Sequence, residues 1–129
     1  MTETYTHDAD EFITRFALHT GPEITQRQLQ VRINHLQEEL QELQQAADRR
    51  DTAEILDALV DLAYIAVGTA RMCDWDFAEA WRRVHTANMQ KIRAERAVDS
   101  KRGTTFDVVK PTGWQAADLT DLVEVNDDR

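Results

Sequence analysis

The sequence has little cysteine, glycine and proline, and their scarcity excludes several kinds of site and fold. Cys73 is the single cysteine, so an intrachain disulfide and the cysteine-based zinc and redox motifs are excluded. Only 4 glycines and 2 prolines occur among 129 residues, which favours helices over many short strands. With 42% hydrophobic and 30% charged residues the chain is globular, and we predict one domain over residues 1–129.

Positive charge and long apolar runs are also scarce. The formal net charge is −9, whereas a nucleic-acid binder needs the opposite sign because phosphate contacts dominate its affinity. We therefore expect no nucleic-acid partner, although a small phosphate-bearing ligand needs only a local cation or metal ion. No apolar run reaches about 18 residues without a charge, and the first residues lack a signal-peptide pattern. We predict a soluble, cytoplasmic protein with no membrane partner.

Helical periodicity is present instead, and it predicts an all-α antiparallel bundle of about four helices with an irregular C-terminal tail. The core is expected over about residues 8–96 and the tail over 97–129. The four helices are predicted at about 8–19, 23–48, 52–72 and 77–96. The tail is expected to contain an extended stretch over 104–109 and a short helix over 116–123.

Each of the first two helices has a predicted inner face. In the first it consists of Phe12, Ile13, Phe16 and Ala17, and the Gly21–Pro22 pair is expected to end this helix. In the second it consists of Leu29, Ile33, Leu36, Leu40, Leu43 and Ala47. The polar turn over residues 48–51 then makes the second and third helices antiparallel.

The third predicted helix is apolar nearly all round except for a narrow stripe that includes Glu54, Asp57 and Asp61. A helix of this kind is usually buried, and a buried carboxylate must find a cation or become protonated. The stripe therefore pairs with basic side chains of a neighbouring helix or forms part of a metal site. Because one chain supplies too few helices to cover it, we also expect a homodimer or homotetramer.

The second predicted helix carries acidic side chains that the antiparallel turn brings level with this stripe. Carboxylates gathered in an apolar setting repel one another unless a hard cation lies among them, and oxygen-only ligation suits Mg²⁺ or, as a substitute, Mn²⁺. Since Mg²⁺ often takes phosphate oxygens as its remaining ligands, the residues predict a Mg²⁺–phosphate site. The expected ligands are Glu39, Glu42, Asp57 and Asp61, with Glu54 as a further candidate.

These motifs resemble a known family, the all-α nucleoside triphosphate pyrophosphatases, and within it a MazG-like subgroup with dUTP-directed members. The resemblance covers about residues 25–118. It rests on Glu38-Glu39-x-x-Glu42, on the helix reading DALVDLAY, on Val84-His85-x-x-Asn88-x-x-Lys91 and on Val109-Lys110-Pro111-x-Gly113-Trp114. It implies Mg²⁺-dependent hydrolysis of a nucleoside triphosphate, with a pyrimidine dNTP and first dUTP as the expected substrate, to the monophosphate and pyrophosphate.

The chain departs from the family at one point. The family usually has Glu-x-x-Asp on the second metal-binding helix, and Ala58 stands where the Glu is expected if Asp61 matches the Asp. Either Asp57 takes that role or the frame shifts to Glu54-x-x-Asp57. We favour Asp57 together with Asp61, because a spacing of four residues keeps both on one face of a helix.

The remaining site residues are assigned as hypotheses. Glu38 is the candidate base or water-positioning group for attack of water on phosphorus. The resemblance implies that Asn88 and Lys91, on the fourth predicted helix, contact the phosphates or sugar. The further substrate-binding candidates are Arg32, His85, Lys110 and Tyr64. Arg32 alternatively neutralises a carboxylate, and His85 alternatively supports the site without contacting the substrate. Tyr64 and Trp114 can stack on a base, but packing in the core is the favoured role for both.

Two alternative functions stay open at this point. The first is a non-catalytic helical-bundle interaction protein, which the alanine at position 58 favours. The second is a phosphoribosyl-ATP pyrophosphohydrolase, which shares the fold and against which the motifs around Lys91 and Trp114 argue.

Overall fold

The computed structural model describes residues 2–124, which form two compact units, one up to Ala78 with the residues from Leu122, and the other Glu79–Asp121. The helices are α1 (Thr2–Arg15), α2 (Gln26–Asp48), α3 (Thr52–Met72), α4 (Phe77–Asn88) and α5 (Thr120–Val123). A short 3-10 helix (Ala97–Asp99) and two strands, β1 (Ile92–Arg93) and β2 (Val108–Val109), complete the regular structure. The predicted all-α class with an irregular C-terminal part is confirmed.

The first helix lies earlier in the chain than the sequence predicted, at Thr2–Arg15 instead of about 8–19. It ends in a Schellman motif, in which the N–H of Leu18 donates to the carbonyl of Ile13 at 3.0 Å. Ala17 takes the left-handed position of this motif with a φ of 54°. Glycine is the usual residue there, and its absence explains why the sequence placed the end of the helix at the later glycine–proline pair.

The turn between α2 and α3 contains the same type of motif. The N–H of Asp51 donates to the carbonyl of Ala46 at 3.0 Å, and Arg50 has a φ of 55°. The Asp51 side chain then caps α3 by accepting a hydrogen bond from the N–H of Glu54 at 3.2 Å. The antiparallel hairpin and the bounds predicted for α3 are confirmed, and this tight turn fixes which residues of the two helices face each other.

The face that α2 turns toward α3 differs from the predicted one. Leu29, Leu36 and Leu43 are half-buried as expected, but Ile33 and Leu40 are 37% and 57% exposed. Ala47 is exposed as well, and the positions that replace these three residues on the inner side are Arg32, Glu39 and Ala46. Two ionisable side chains therefore lie on the packed side of α2, where neighbouring groups decide their protonation and their contacts.

On α3 the packed side is a row of residues spaced by seven, namely Ala58, Ile65 and Met72, all buried. The opposite side leaves Leu56, Leu59 and Val60 between 48% and 63% exposed. Thus α3 is not buried all round within one chain.

The C-terminal half of α3 is tied to the N-terminal part of the chain. Arg71 forms an ion pair with Asp10 of α1 at 2.7 Å, and Thr20 donates hydrogen bonds to the carbonyl of Met72 from both its N–H and its hydroxyl. Within residues 2–124, no helix combines the length and the apolar character needed to cross a lipid bilayer.

The second unit departs from the predicted continuation of the fourth helix to residue 96. The α4 helix ends at Asn88, because the following residues pair with a distant segment: β1 and β2 are antiparallel, with Ile92 opposite Val109. The expected extended stretch over 104–109 is thus limited to β2, and the last helix is α5 instead of 116–123.

Candidate metal centre

Three carboxylates converge between α2 and α3. Glu39, Glu42 and Asp61 each offer one oxygen, and these three oxygens all lie within 4.8 Å of one another. Glu39 and Glu42 are neighbours on the surface of α2 because they are three residues apart, and the hairpin register brings Asp61 to them. The structure therefore brings together three of the four main ligands expected from the sequence.

Glu39 is the most perturbed member of this carboxylate group. Its Oε2 atom is buried and has no hydrogen-bond partner among the described residues. Burial, followed by the nearby carboxylates of Glu42 and Asp61, raises the pKa of Glu39 to about 7. A buried acceptor without a donor, next to two more carboxylates, fits a hard divalent cation such as Mg²⁺ or Mn²⁺.

The other predicted acidic residues lie outside this group. Glu38, Glu54 and Asp57 are exposed and are not among the three converging carboxylates. The inner position one turn before Asp61 is occupied instead by Ala58, which is 3% exposed. The expectation that Asp57 shares the inner face of Asp61 is therefore not met in this arrangement, although both belong to the same acidic stripe.

Arg32 lies across α3, two turns before Glu39 on α2. Its Nε donates to the Thr69 hydroxyl at 2.9 Å and its Nη2 donates to the carbonyl of Ile65 at 3.1 Å. A Cβ at Gly68 would be 3.1 Å from Nη2, so the guanidinium rests on a position without a side chain. Burial lowers the pKa of Arg32. The hydrogen bonds of this side chain are thus used to join α2 to α3, and not to neutralise a carboxylate.

Tyr64 lies one turn after Asp61 and lines a cavity of about 350 Å³ formed with α1. Tyr64 is 42% exposed, and its ring meets the ring of Phe12 edge-on, with centroids 5.5 Å apart. Phe12 and Phe16, for which the sequence favoured packing over ligand contact, are 40% and 54% exposed, and their ring centroids are 4.7 Å apart. The other residues that line the cavity are Asp8, Glu11 and Arg15.

The remaining predicted substrate-binding residues belong to the second unit. His85 and Asn88 are exposed in the last turn of α4. Lys91 lies beyond the end of this helix, and not on it as predicted. Its Nζ is 4.9 Å from the centroid of the Trp114 ring, and the Nζ of Lys110 is 5.0 Å from the same centroid.

Comparison with known proteins agrees with a nucleotide-hydrolysing site. Residues 9–88, more than half of the chain, match the family described as phosphoribosyl-ATP pyrophosphohydrolase. This family is part of the MazG-like all-α superfamily and typically depends on a divalent metal, so the resemblance is confirmed at the level of the superfamily. A comparison with curated proteins finds no significant match. The chain belongs to the phosphoribosyl-ATP pyrophosphohydrolase family and is a hydrolase of acid anhydrides that acts on a nucleotide phosphoanhydride bond.

Proposed function

We propose that the protein hydrolyses a nucleoside triphosphate to the monophosphate and pyrophosphate with Mg²⁺, or Mn²⁺ as a substitute. The observation that carries this proposal is the convergence of Glu39, Glu42 and Asp61 beside the buried, unpartnered Oε2 of Glu39. These three residues would hold the ion, and Asp57 and Glu54 are further candidates on the exposed side of α3. When bound, such an ion offsets the negative charge that develops on the phosphoryl oxygens in the transition state.

The protein's own side chains have distinct tasks in this proposal. Glu39 must lose its proton before it can act as a ligand, so its raised pKa couples ion binding to pH near neutrality. Glu38, which is exposed and precedes Glu39 in the sequence, accepts the proton of the attacking water or positions that water.

The cavity next to Tyr64 is the proposed site for the nucleobase. It lies one helical turn from Asp61, and the rings of Tyr64, Phe12 and Phe16 offer aromatic surface on which a planar base can stack. A pyrimidine deoxynucleotide, dUTP first, is the proposed substrate, and this choice is supported by the resemblance of the motifs around Lys91 and Trp114. Together with Arg32, the remaining candidates for binding the phosphates or sugar are His85, Asn88, Lys91 and Lys110.

Phosphoribosyl-ATP is a second candidate substrate, and the family match favours it. The matched residues end at Asn88, so they leave out most of the motifs that point toward dUTP. Both substrates contain a phosphoanhydride bond that can be hydrolysed with an ion held by the same three carboxylates.

A homodimer or homotetramer is the proposed assembly. The exposed aliphatic side chains support it, because α2 and α3 together leave a sizeable apolar surface at their solvent side. These side chains are Ile33, Leu40, Leu56, Leu59 and Val60. Light scattering coupled to gel filtration tests this assembly, and a monomer at micromolar concentration would contradict it.

The substrate is tested by measuring pyrophosphate release from dUTP, dCTP, dTTP, dATP, dGTP and phosphoribosyl-ATP, each with Mg²⁺ and with a chelator. We expect release that requires the ion and is fastest with dUTP. Fastest release from phosphoribosyl-ATP would select the second candidate. A lack of release from all six compounds in the presence of Mg²⁺ and of Mn²⁺ would refute the proposed activity.

A further inference from the structure

The place where Arg32 of α2 rests on α3 is in line with the carboxylate group. On α2, Arg32 stands seven residues before Glu39. On α3, Gly68 stands seven residues after Asp61. Because the two helices are antiparallel, these equal steps, about 10 Å along each helix, lead from the carboxylate group to the same level of the hairpin. Arg32 and Gly68 therefore meet about two helical turns from the carboxylate group.

Three residues of α3 hold the Arg32 side chain. Its Nε donates to the Thr69 hydroxyl at 2.9 Å, and its Nη2 donates to the carbonyl of Ile65 at 3.1 Å. The Thr69 hydroxyl donates to the same carbonyl at 2.7 Å, so both acceptors of the guanidinium are fixed within one turn of α3. Gly68 leaves room for the guanidinium, since a Cβ there would be 3.1 Å from Nη2. We refer to the interaction of Arg32 with these three residues as the Arg32 contact.

The Arg32 contact resists sliding of α2 along α3. A planar guanidinium that donates to two fixed acceptors holds one orientation, whereas apolar side chains alone specify the register of two helices less strictly. Arg32 is half-buried, and burial lowers its pKa. A shift of register would break both hydrogen bonds and leave a charged group in a poorly solvated place. The contact therefore favours one register of the hairpin over its neighbours.

The carboxylate group lies between the Arg32 contact and the turn of the hairpin. The turn fixes the two helices at its own end, where the N–H of Asp51 donates to the carbonyl of Ala46. Before an ion binds, three neighbouring carboxylates repel one another, and a hairpin held at one end alone can relieve this repulsion by opening. A hairpin held at both ends keeps the oxygens of Glu39 and Asp61 within the distance at which one ion can reach them.

We propose that Arg32 is a positioning residue of the metal centre, because its contact with α3 holds Glu39 and Asp61 close enough to share one divalent ion. Arg32 acts through the two helices and touches neither the ion nor the substrate in this role. Ligands that are already in place bind more tightly, because binding does not have to bring them together. The inference rests on the proposed function only in taking the carboxylate group as the site of the ion.

The sign of the effect separates positioning from the other roles of an arginine. A positive charge about 10 Å from a bound cation repels it, so loss of the charge alone would raise the affinity for the ion, by less than about twofold at physiological salt. Loss of positioning lowers that affinity instead. A role in contacting phosphate leaves it unchanged, and a role in stability alone lowers the Tm without changing the affinity of the folded protein.

The test is titration of the full-length protein with Mn²⁺ at pH 8, with free Mn²⁺ measured by electron paramagnetic resonance. Arg32→Gln should weaken the affinity at least about fivefold. Arg32→Lys keeps the charge but loses the fork of donors, and it should weaken the affinity at least about threefold. Arg27→Gln is the matched control, because Arg27 is an exposed arginine in the first turn of the same helix. This control should change the affinity less than about twofold.

Thr69→Val removes part of the Arg32 contact from the side of α3. It deletes the hydroxyl that accepts from Nε and leaves every charge and every carboxylate in place. It should weaken Mn²⁺ binding about two- to fivefold and have little further effect in the Arg32→Gln background. Circular dichroism checks that each variant is folded at the temperature of the titration. If Arg32→Gln is not, Arg32→Lys and Thr69→Val decide the positioning role.

The outcomes separate this inference from the proposed activity. Unchanged Mn²⁺ affinity in the folded Arg32 variants, or tighter binding in Arg32→Gln, would overturn the positioning role, and so would equal weakening by Arg27→Gln. A wild-type protein that binds no Mn²⁺ would overturn the metal centre together with the role of Arg32. Weakened binding in the Arg32 variants of a protein that hydrolyses no nucleotide would support the positioning role and refute the proposed activity alone.

Discussion

Replacing Gly68 with alanine is expected to destabilise the wild-type protein but to stabilise a variant that lacks Arg32. In the interior of a helix, alanine is favoured over glycine by about 1 kcal/mol. In the wild-type protein, however, the new Cβ would lie 3.1 Å from the Nη2 of Arg32, closer than nine in ten such contacts. The guanidinium must therefore shift by a few tenths of an ångström, which takes its Nη2, already 3.1 Å from the carbonyl oxygen of Ile65, beyond the usual length of a hydrogen bond.

The size of the effect follows from the contact that the movement breaks. Nη2 donates to the carbonyl of Ile65 at 3.1 Å. A hydrogen bond from a charged group contributes about 1.5–3 kcal/mol, so its loss outweighs the gain in helix propensity by about 0.5–2 kcal/mol. In the Arg32→Ala background no guanidinium is present, and Gly68→Ala should then stabilise the protein by about 1 kcal/mol.

The assay is urea unfolding, followed by circular dichroism, of the wild-type protein, the two single variants and the double variant. The free energies form a double-mutant cycle, and its coupling term should be about 1.5–3 kcal/mol in favour of the double variant. The same effect of Gly68→Ala in both backgrounds would refute the placement of Arg32 on α3.

Three further predictions concern the helix end and the carboxylate group. Ala17→Gly should raise the free energy of unfolding by about 1 kcal/mol in urea, because a φ of 54° strains alanine but not glycine, and a decrease would contradict the Schellman geometry. Burial, together with the carboxylates of Glu42 and Asp61, raises the pKa of Glu39 from 4.5 to about 7, so the contribution of protonated Glu39 to stability is complete below pH 4.5 and is lost as the pH rises through 7. In a chelator, the Tm of the wild-type protein should therefore fall more between pH 5 and 8 than the Tm of Glu39→Gln, and equal slopes would argue against this pKa. Asp61→Asn should abolish the rise in Tm on addition of Mn²⁺, whereas Asp57→Asn, at an exposed position, should retain it, and loss of the rise in both variants would restore the ligand set favoured from the sequence.

The parts of the fold that the sequence predicted correctly depend on local signals. The polar residues between α2 and α3 follow one long periodic stretch and precede another, which is enough to indicate an antiparallel hairpin. The predicted end of α1 was wrong because alanine occupies the position after the helix where glycine is the usual signal. The predicted end of α4 was wrong because β1 pairs with β2. This contact joins residues far apart in sequence, and no local pattern reveals it.

The sequence predicted that acidic residues of α2 and α3 form a cluster, but it did not predict which aspartate of α3 belongs to it. On a helix that is apolar nearly all round, periodicity cannot tell which row packs inward, and Asp57 and Asp61 differ by only a small rotation about the axis. The burial of Ala58, Ile65 and Met72 makes that choice, and it turns Asp61 toward Glu39. The regular spacing of these three residues by seven was the available signal.

The most direct test of the account is pyrophosphate release from dUTP with Mg²⁺ by the wild-type protein and by Glu39→Gln, measured side by side. The two side chains have the same size, but the amide cannot supply an anionic oxygen to the ion. We expect ion-dependent release from the wild-type protein and a loss of at least about a hundredfold in Glu39→Gln, with an unchanged helical signal. Similar rates from the two proteins would contradict the assignment of the Glu39, Glu42 and Asp61 group as the metal centre.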